Sequence, residues 1–99
     1  MTDTPLHLVL LEFADTSGAA ALMDDHNRWI DRGFDDGAFL LTGSVPGRGG
    51  AVLVHGIPRD QVDRTVQDDP FVQHGVVAPT VVEIQPSRLA AGWEQLIGG

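Results

Sequence analysis

Apolar and polar positions divide the chain into stretches with distinct periods. "LHLVLLEF" (6–13) is a continuous apolar run between Pro5 and "ADTSG", the pattern of a strand. From about Ser17 to Gly33, Ala19, Leu22, Met23, Ile30 and Gly33 gather on one side at the ~100° advance of a helix, with Ser17 placed to cap its start. "AFLLTGSV" (38–45) and "AVLVHG" (51–56) predict two strands joined through the turn-forming "PGRGG" (46–50), hence a hairpin. "IPRDQVDRTVQDD" predicts a helix opened by Pro58, with Val62 and Val66 facing inward and Pro70 stopping it. "GVVAPTVVEIQP" (75–86) predicts a fourth strand, whose Pro79 belongs at an edge or a bulge. "SRLAAGWEQLI" (87–97) predicts a short C-terminal helix capped by Ser87.

Strand, helix, strand, strand, helix, strand is the ferredoxin-like βαββαβ order, an α+β fold with helices on one face of a four-stranded antiparallel sheet. A sheet covered on one face only should alternate apolar with polar residues. Here Leu6, Leu8 and Leu10 alternate with Val9, Leu11 and Phe13, and Phe39 and Leu41 alternate with Ala38 and Leu40, so both faces are apolar. The second face needs a cover, and a second copy of the sheet is the simplest one. A homodimer with sheets packed face to face is therefore expected.

Composition narrows the chemistry. The 99 residues make a single domain, 1–99, with no room for a second core. Fourteen acids face six arginines and no lysine, giving a formal charge of −8 that repels phosphate backbones and anionic lipid. Neither a nucleic-acid nor a membrane partner is expected. No apolar run reaches the ~20 residues of a bilayer span. "MTDTPLHLVLLEF" lacks a basic region and a small-residue cleavage site, so a cytoplasmic location is expected. Without cysteine, lysine or tyrosine there is no thiolate, disulfide, Schiff base or phenolic acid. A catalyst here must be built from His, Asp, Glu, Arg, Ser or Thr.

His26 stands out because it falls near the middle of the first helix's apolar stripe, where a Leu would be ordinary. Either it is a core histidine satisfied by a backbone carbonyl, or it lines a pocket. Leu22, Met23, Ile30 and Phe71 would give such a pocket walls suited to an apolar or aromatic molecule. Ser44 and Thr42 are placed to face it or to serve as cross-strand partners. His74, beside "DDPF", is a candidate second acid or base, and His7 and His55 sit on strands where ordinary core histidines also occur. No H-x-x-x-H, H-x-H or dense acidic loop is present, so no metal is expected. "GRGG" (47–50) lacks both the spacing and the lysine of a phosphate loop.

The topology, His26 on the first helix, "LLTGS" (40–44) on the second strand and "DDPFVQHGVV" (68–77) together resemble the YciI-like (YCII-related) family of small dimeric α/β-barrel proteins. The resemblance spans about residues 6 to 86, and its most specific piece is Asp69-Pro70-Phe71 followed by Gly75. Leu22 and Met23 stand where members often carry an Arg, Ser44 follows Gly43 where Pro is usual, and His74 occupies a place that is usually small and apolar. The resemblance implies a dimeric α/β barrel and a site that pairs His26 with Asp69. A carboxylate accepting from one imidazole nitrogen selects the tautomer and leaves the other nitrogen free to move a proton. The family's recorded activities include dehydrochlorination of a chlorinated hydroxyquinol, and the wider superfamily includes muconolactone isomerases and small monooxygenases. Fold alone does not choose among these.

Two readings follow. In the first, His26 and Asp69 carry a cofactor-free isomerisation or elimination on a small organic molecule, aromatic or lactone-like, with Met23, Ser44, Phe71 and His74 in contact with it. In the second, the dimer is a non-catalytic ligand-binding or accessory subunit, with a closed or purely apolar cavity and both nitrogens of His26 occupied by protein groups. A third, a haem-dependent or cofactor-free monooxygenase of the same superfamily, would need a haem-facing histidine or a substrate primed for oxygen.

Overall fold

The computed structural model describes residues 5–96. Four strands, β1 (Leu6–Phe13), β2 (Phe39–Val45), β3 (Gly49–Val54) and β4 (Val77–Ile84), form one antiparallel sheet in the order β2-β3-β1-β4. Helix α1 (Ala19–Asp35) connects β1 to β2; α2 (Arg59–Gln67) and the single turn α3 (Pro70–Gln73) connect β3 to β4. This is the α+β, ferredoxin-like arrangement that the order of periods predicts. Pro79 lies on β4, an edge strand, where a residue without an N–H costs no ladder bond on its solvent side.

Helices α1, α2 and α3 cover the same face. Val9 and Leu11 of β1, Val52 and Val54 of β3, Phe39 of β2 and Val77 of β4 meet Trp29 of α1, Val62 and Val66 of α2 and Phe71 of α3 in one buried core. Val62 and Val66 face inward as their spacing predicts. The anchor of α1 is Trp29, outside the predicted stripe. Its ring is buried, meets Phe39 edge-on at 5.1 Å, and donates from Nε1 to the Thr65 carbonyl at 2.8 Å, pinning α1 to α2. Gly33 permits the closeness of α1 and β2, because a Cβ there would lie 2.2 Å from the Phe39 ring.

Several sequence expectations need correction. Ser17 does not cap α1: Asp15 accepts from the Ser17 amide at 3.1 Å and from its hydroxyl at 2.7 Å, building a 3₁₀ turn (Thr16–Gly18) before α1 begins. Pro70 does not stop α2, which ends at Gln67; it opens α3, where a missing N–H is harmless. The C-terminal helix expected over 87–97 is confined within the described residues to one turn, α4 (Trp93–Leu96). Gly92, at φ 97°, breaks any helix running from Ser87, and position 97 lies outside the described residues.

One further correction shapes the site. Phe39 pairs with Val54 but Leu41 pairs with Leu53, so a β-bulge sits between them. Phe39 and Leu41 therefore point to opposite faces. Phe39 enters the core, and Leu41 stands 49% exposed on the uncovered face. The same slip turns Thr42 and Ser44 toward the helices, opposite Val52 and Gly50.

Candidate active site

Two elements far apart in sequence supply the central pair. Asp69 is the N-cap of α3, and its Oδ1 accepts from the Phe71 amide at 3.0 Å. The same oxygen lies 2.7 Å from Nδ1 of His26, in the middle of α1. Asp69 is completely buried, its Oδ2 has no partner, and the His26 side chain keeps 13% of its surface exposed. Below His26 lies Phe71, its ring stacked at 4.0 Å between centroids and 8° between planes; Trp29 flanks at 5.9 Å. The imidazole is thus held by a hydrogen bond in its plane and by an aromatic face beneath it. Nδ1 is engaged, whereas Nε2 has no protein partner and is not enclosed.

His26, with Nε2 as its unengaged nitrogen, lines a cleft of about 270 Å³ between α1 and the far end of the sheet. Met23, Asn27 and Ile30 accompany His26 on the α1 side, and Leu11, Phe13, Val52 and Val77 rise from the sheet. Gly43, Gly49, Gly50 and Ala51 contribute almost no side chain, so the hairpin end stays open. Polar groups are few: the Asn27 amide and the hydroxyls of Thr42 and Ser44. Thr42 donates its hydroxyl proton to the Ala51 carbonyl at 3.0 Å, which leaves its oxygen lone pairs as the group it presents.

Of the sequence candidates, the structure brings together His26, Asp69, Phe71, Met23 and Ser44. Phe71 contacts the ring of His26 as well as the cleft. His74 does not join them: it is the exposed C-cap of α3, outside the lining, because α3 is a single turn that directs Phe71 inward and His74 away. Leu22 packs against the core instead of lining the cleft. Asn27 was missed because helical periodicity places it off the apolar stripe; a cleft along the edge of α1 exposes just such a flanking position. His7 is buried at the opposite end of β1, remote from the cleft. Among the described residues no three His, Asp or Glu side chains converge as metal ligands do.

No protein-family model matches the chain, and no curated protein sequence does. Among solved structures the fold is similar to that of 5-chloro-2-hydroxyhydroquinone dehydrochlorinase (TftG) from Burkholderia phenoliruptrix AC1100, in complex with 2,5-dihydroxybenzoquinone. The two superpose with a TM-score of 0.59 at 17% identity, over 90% of this chain and 97% of that one. At that identity the likeness is one of fold. The neighbour is an enzyme acting on a small molecule. No helix among the described residues is long and apolar enough to cross a membrane.

Proposed function

We propose that this protein is a single-domain, cytoplasmic homodimer of YciI-like type that uses His26 and Asp69 as an acid/base pair on a small, mainly apolar organic molecule. The reaction class is a cofactor-free isomerisation or elimination. The observation that carries this reading is the division of labour on one imidazole, with Nδ1 held 2.7 Å from a buried carboxylate and Nε2 open to a cleft. In such a pair the carboxylate favours the tautomer with Nδ1 protonated, so that Nε2 takes a proton from a bound ligand and returns it elsewhere. Phe71 holds the ring plane, and Ser44 and Asn27 are the groups available to orient the ligand. The structural neighbour is a dehydrochlorinase, and loss of HCl is an elimination, which supports the reaction class without assigning the substrate.

The accessory-subunit reading requires a closed or purely apolar cavity and a His26 with both nitrogens occupied. An open cleft with three uncharged polar side chains and a free Nε2 favours the catalytic one. Dimerisation is supported by the uncovered sheet face, where Leu41, Val82 and Ile84 stand 49%, 42% and 41% exposed beside Leu8, Leu10 and Leu53.

The test is turnover of a panel of lactones and halogenated phenols in D₂O, following deuterium incorporation and halide release. His26→Ala should lower the rate on any active compound by about 10²- to 10⁴-fold. Equal rates for variant and wild type would refute the acid/base role. Sedimentation at micromolar concentration should give the dimer mass, and a monomer would refute the face-to-face pairing.

A further inference from the structure

Charge decides which molecules the cleft can hold. All six cationic side chains are arginines, and none lines the cleft. Four are tied to carboxylates on the surface: Arg28 to Asp25, Arg48 to Glu12, Arg59 to Asp63 and Arg64 to Asp60. Arg32 is exposed in the last turn of α1, and Arg88 lies beside Leu6 and Ile84 at the other end of the sheet. The His26–Asp69 pair does not supply the missing cation. With Asp69 ionised, the pair carries one negative charge when the ring is neutral and none when it is protonated. The chain's formal charge of −8 adds a field of the same sign. An anionic ligand would leave water for a site offering no counter-charge, which is costly. A cationic ligand is drawn by that field but finds no partner at close range: among the described residues no carboxylate lines the cleft, and the Phe71 face nearest the site is already covered by His26.

Resting on the proposed acid/base role, we infer that the cleft selects uncharged molecules of about single-ring size bearing hydroxyl or carbonyl groups, and rejects carboxylates and phosphates. Its volume of about 270 Å³ lies just under the ~300–1,000 Å³ of drug-sized sites. Asn27 and Ser44 donate and accept; Thr42, its proton committed to Ala51, accepts from a ligand hydroxyl. Selection of a neutral ground state also serves the chemistry. When a ligand proton moves to Nε2, its electron pair stays on the ligand, and the anion so formed faces a newly created imidazolium. Charge complementarity then exists only once the proton has moved, which favours the transition state over the bound substrate.

Benzamide, benzoate and benzamidinium share one shape and differ in charge, so they separate these cases. Each is titrated into the full-length protein while the side-chain NMR signals of His26 and Asn27 are followed. Benzamide should shift both signals, with a dissociation constant at least about tenfold below that of benzoate, and benzamidinium should bind no more tightly than benzamide. Ser44→Arg, which places a cation at the cleft, should reverse the order of benzamide and benzoate. Wild-type binding of benzoate as tight as that of benzamide, a preference for benzamidinium, no shift with any probe, or no reversal in Ser44→Arg would each overturn the inference. The proton-transfer reading fails separately, on the turnover of His26→Ala, whichever probe binds.

Discussion

Two histidines on the helix-covered side of the sheet show what makes an imidazole useful. His26 holds a buried carboxylate with one nitrogen and opens the other to a cleft. His7, near the start of β1, is fully buried, and neither ring nitrogen makes a hydrogen bond; the nearest acid, Glu83, lies 3.5 Å from Nε2 without hydrogen-bond geometry. Burial is more complete at His7, yet the arrangement there has neither an anchored nor an accessible nitrogen. A proton shuttle needs both. The two sites share a residue type and a sheet face, and differ in what the neighbouring chain segments bring to them.

The sharpest way to break this comparison is Asp69→Asn. The amide oxygen keeps the cap on the Phe71 amide, so the fold should persist, but the charge that favours protonated Nδ1 is lost. Turnover of any active compound should fall by roughly 10²-fold or more, with urea unfolding little changed. Wild-type turnover in this variant would mean that the 2.7 Å contact has no part in catalysis.

His7→Leu probes the other member. Removing a buried ring that makes no hydrogen bond and holds only the 3.5 Å contact to Glu83, and filling the space with hydrocarbon, should leave stability unchanged or raise it by about 1 kcal/mol. The urea midpoint at constant m-value measures this, and turnover should not move. A loss above about 2 kcal/mol would reveal a partner for that ring in solution.

The smallest effect concerns Glu83, whose carboxyl is held below its ordinary 4.5 chiefly by the hydrogen bond from Gln85 Nε2 at 2.9 Å, with His7 and Arg59 adding to it. A depressed acid contributes stability that is fully present above its unfolded value and lost as pH falls through the lower folded one. Glu83→Gln should therefore flatten the stability profile below about pH 4.5 and leave it unchanged at neutral pH. Identical acid limbs for variant and wild type would mean that this hydrogen bond does not persist in solution.

Much of the architecture was legible because local signals and burial agree. Val62 and Val66 share a helical face and are buried; the four apolar runs are the four strands. What misled were positions where a short-range rule met a stronger neighbour. Asp15 captured the Ser17 amide before Ser17 could act as a cap, and Gly92 interrupted a helix that Ser87 was placed to start. Trp29 escaped the stripe because a large ring reaches the core from a flanking position, with its Nε1 paired to Thr65 36 residues away. The His26–Asp69 pairing was expected from family resemblance rather than from spacing, and Asn27 entered the cleft lining through geometry that no period encodes.

Sequence by itself determined the order and kind of the main elements, the acidic balance, and the absence of thiol, amine and phenol chemistry, since these follow from composition and from interactions within a few residues. Tertiary structure alone decided that the bulge after Phe39 turns Thr42 and Ser44 inward, and that a carboxylate 43 positions away meets His26. Those outcomes depend on register and on the docking of α3 against α1. They are set by the packing of the whole core, which no local window of residues contains.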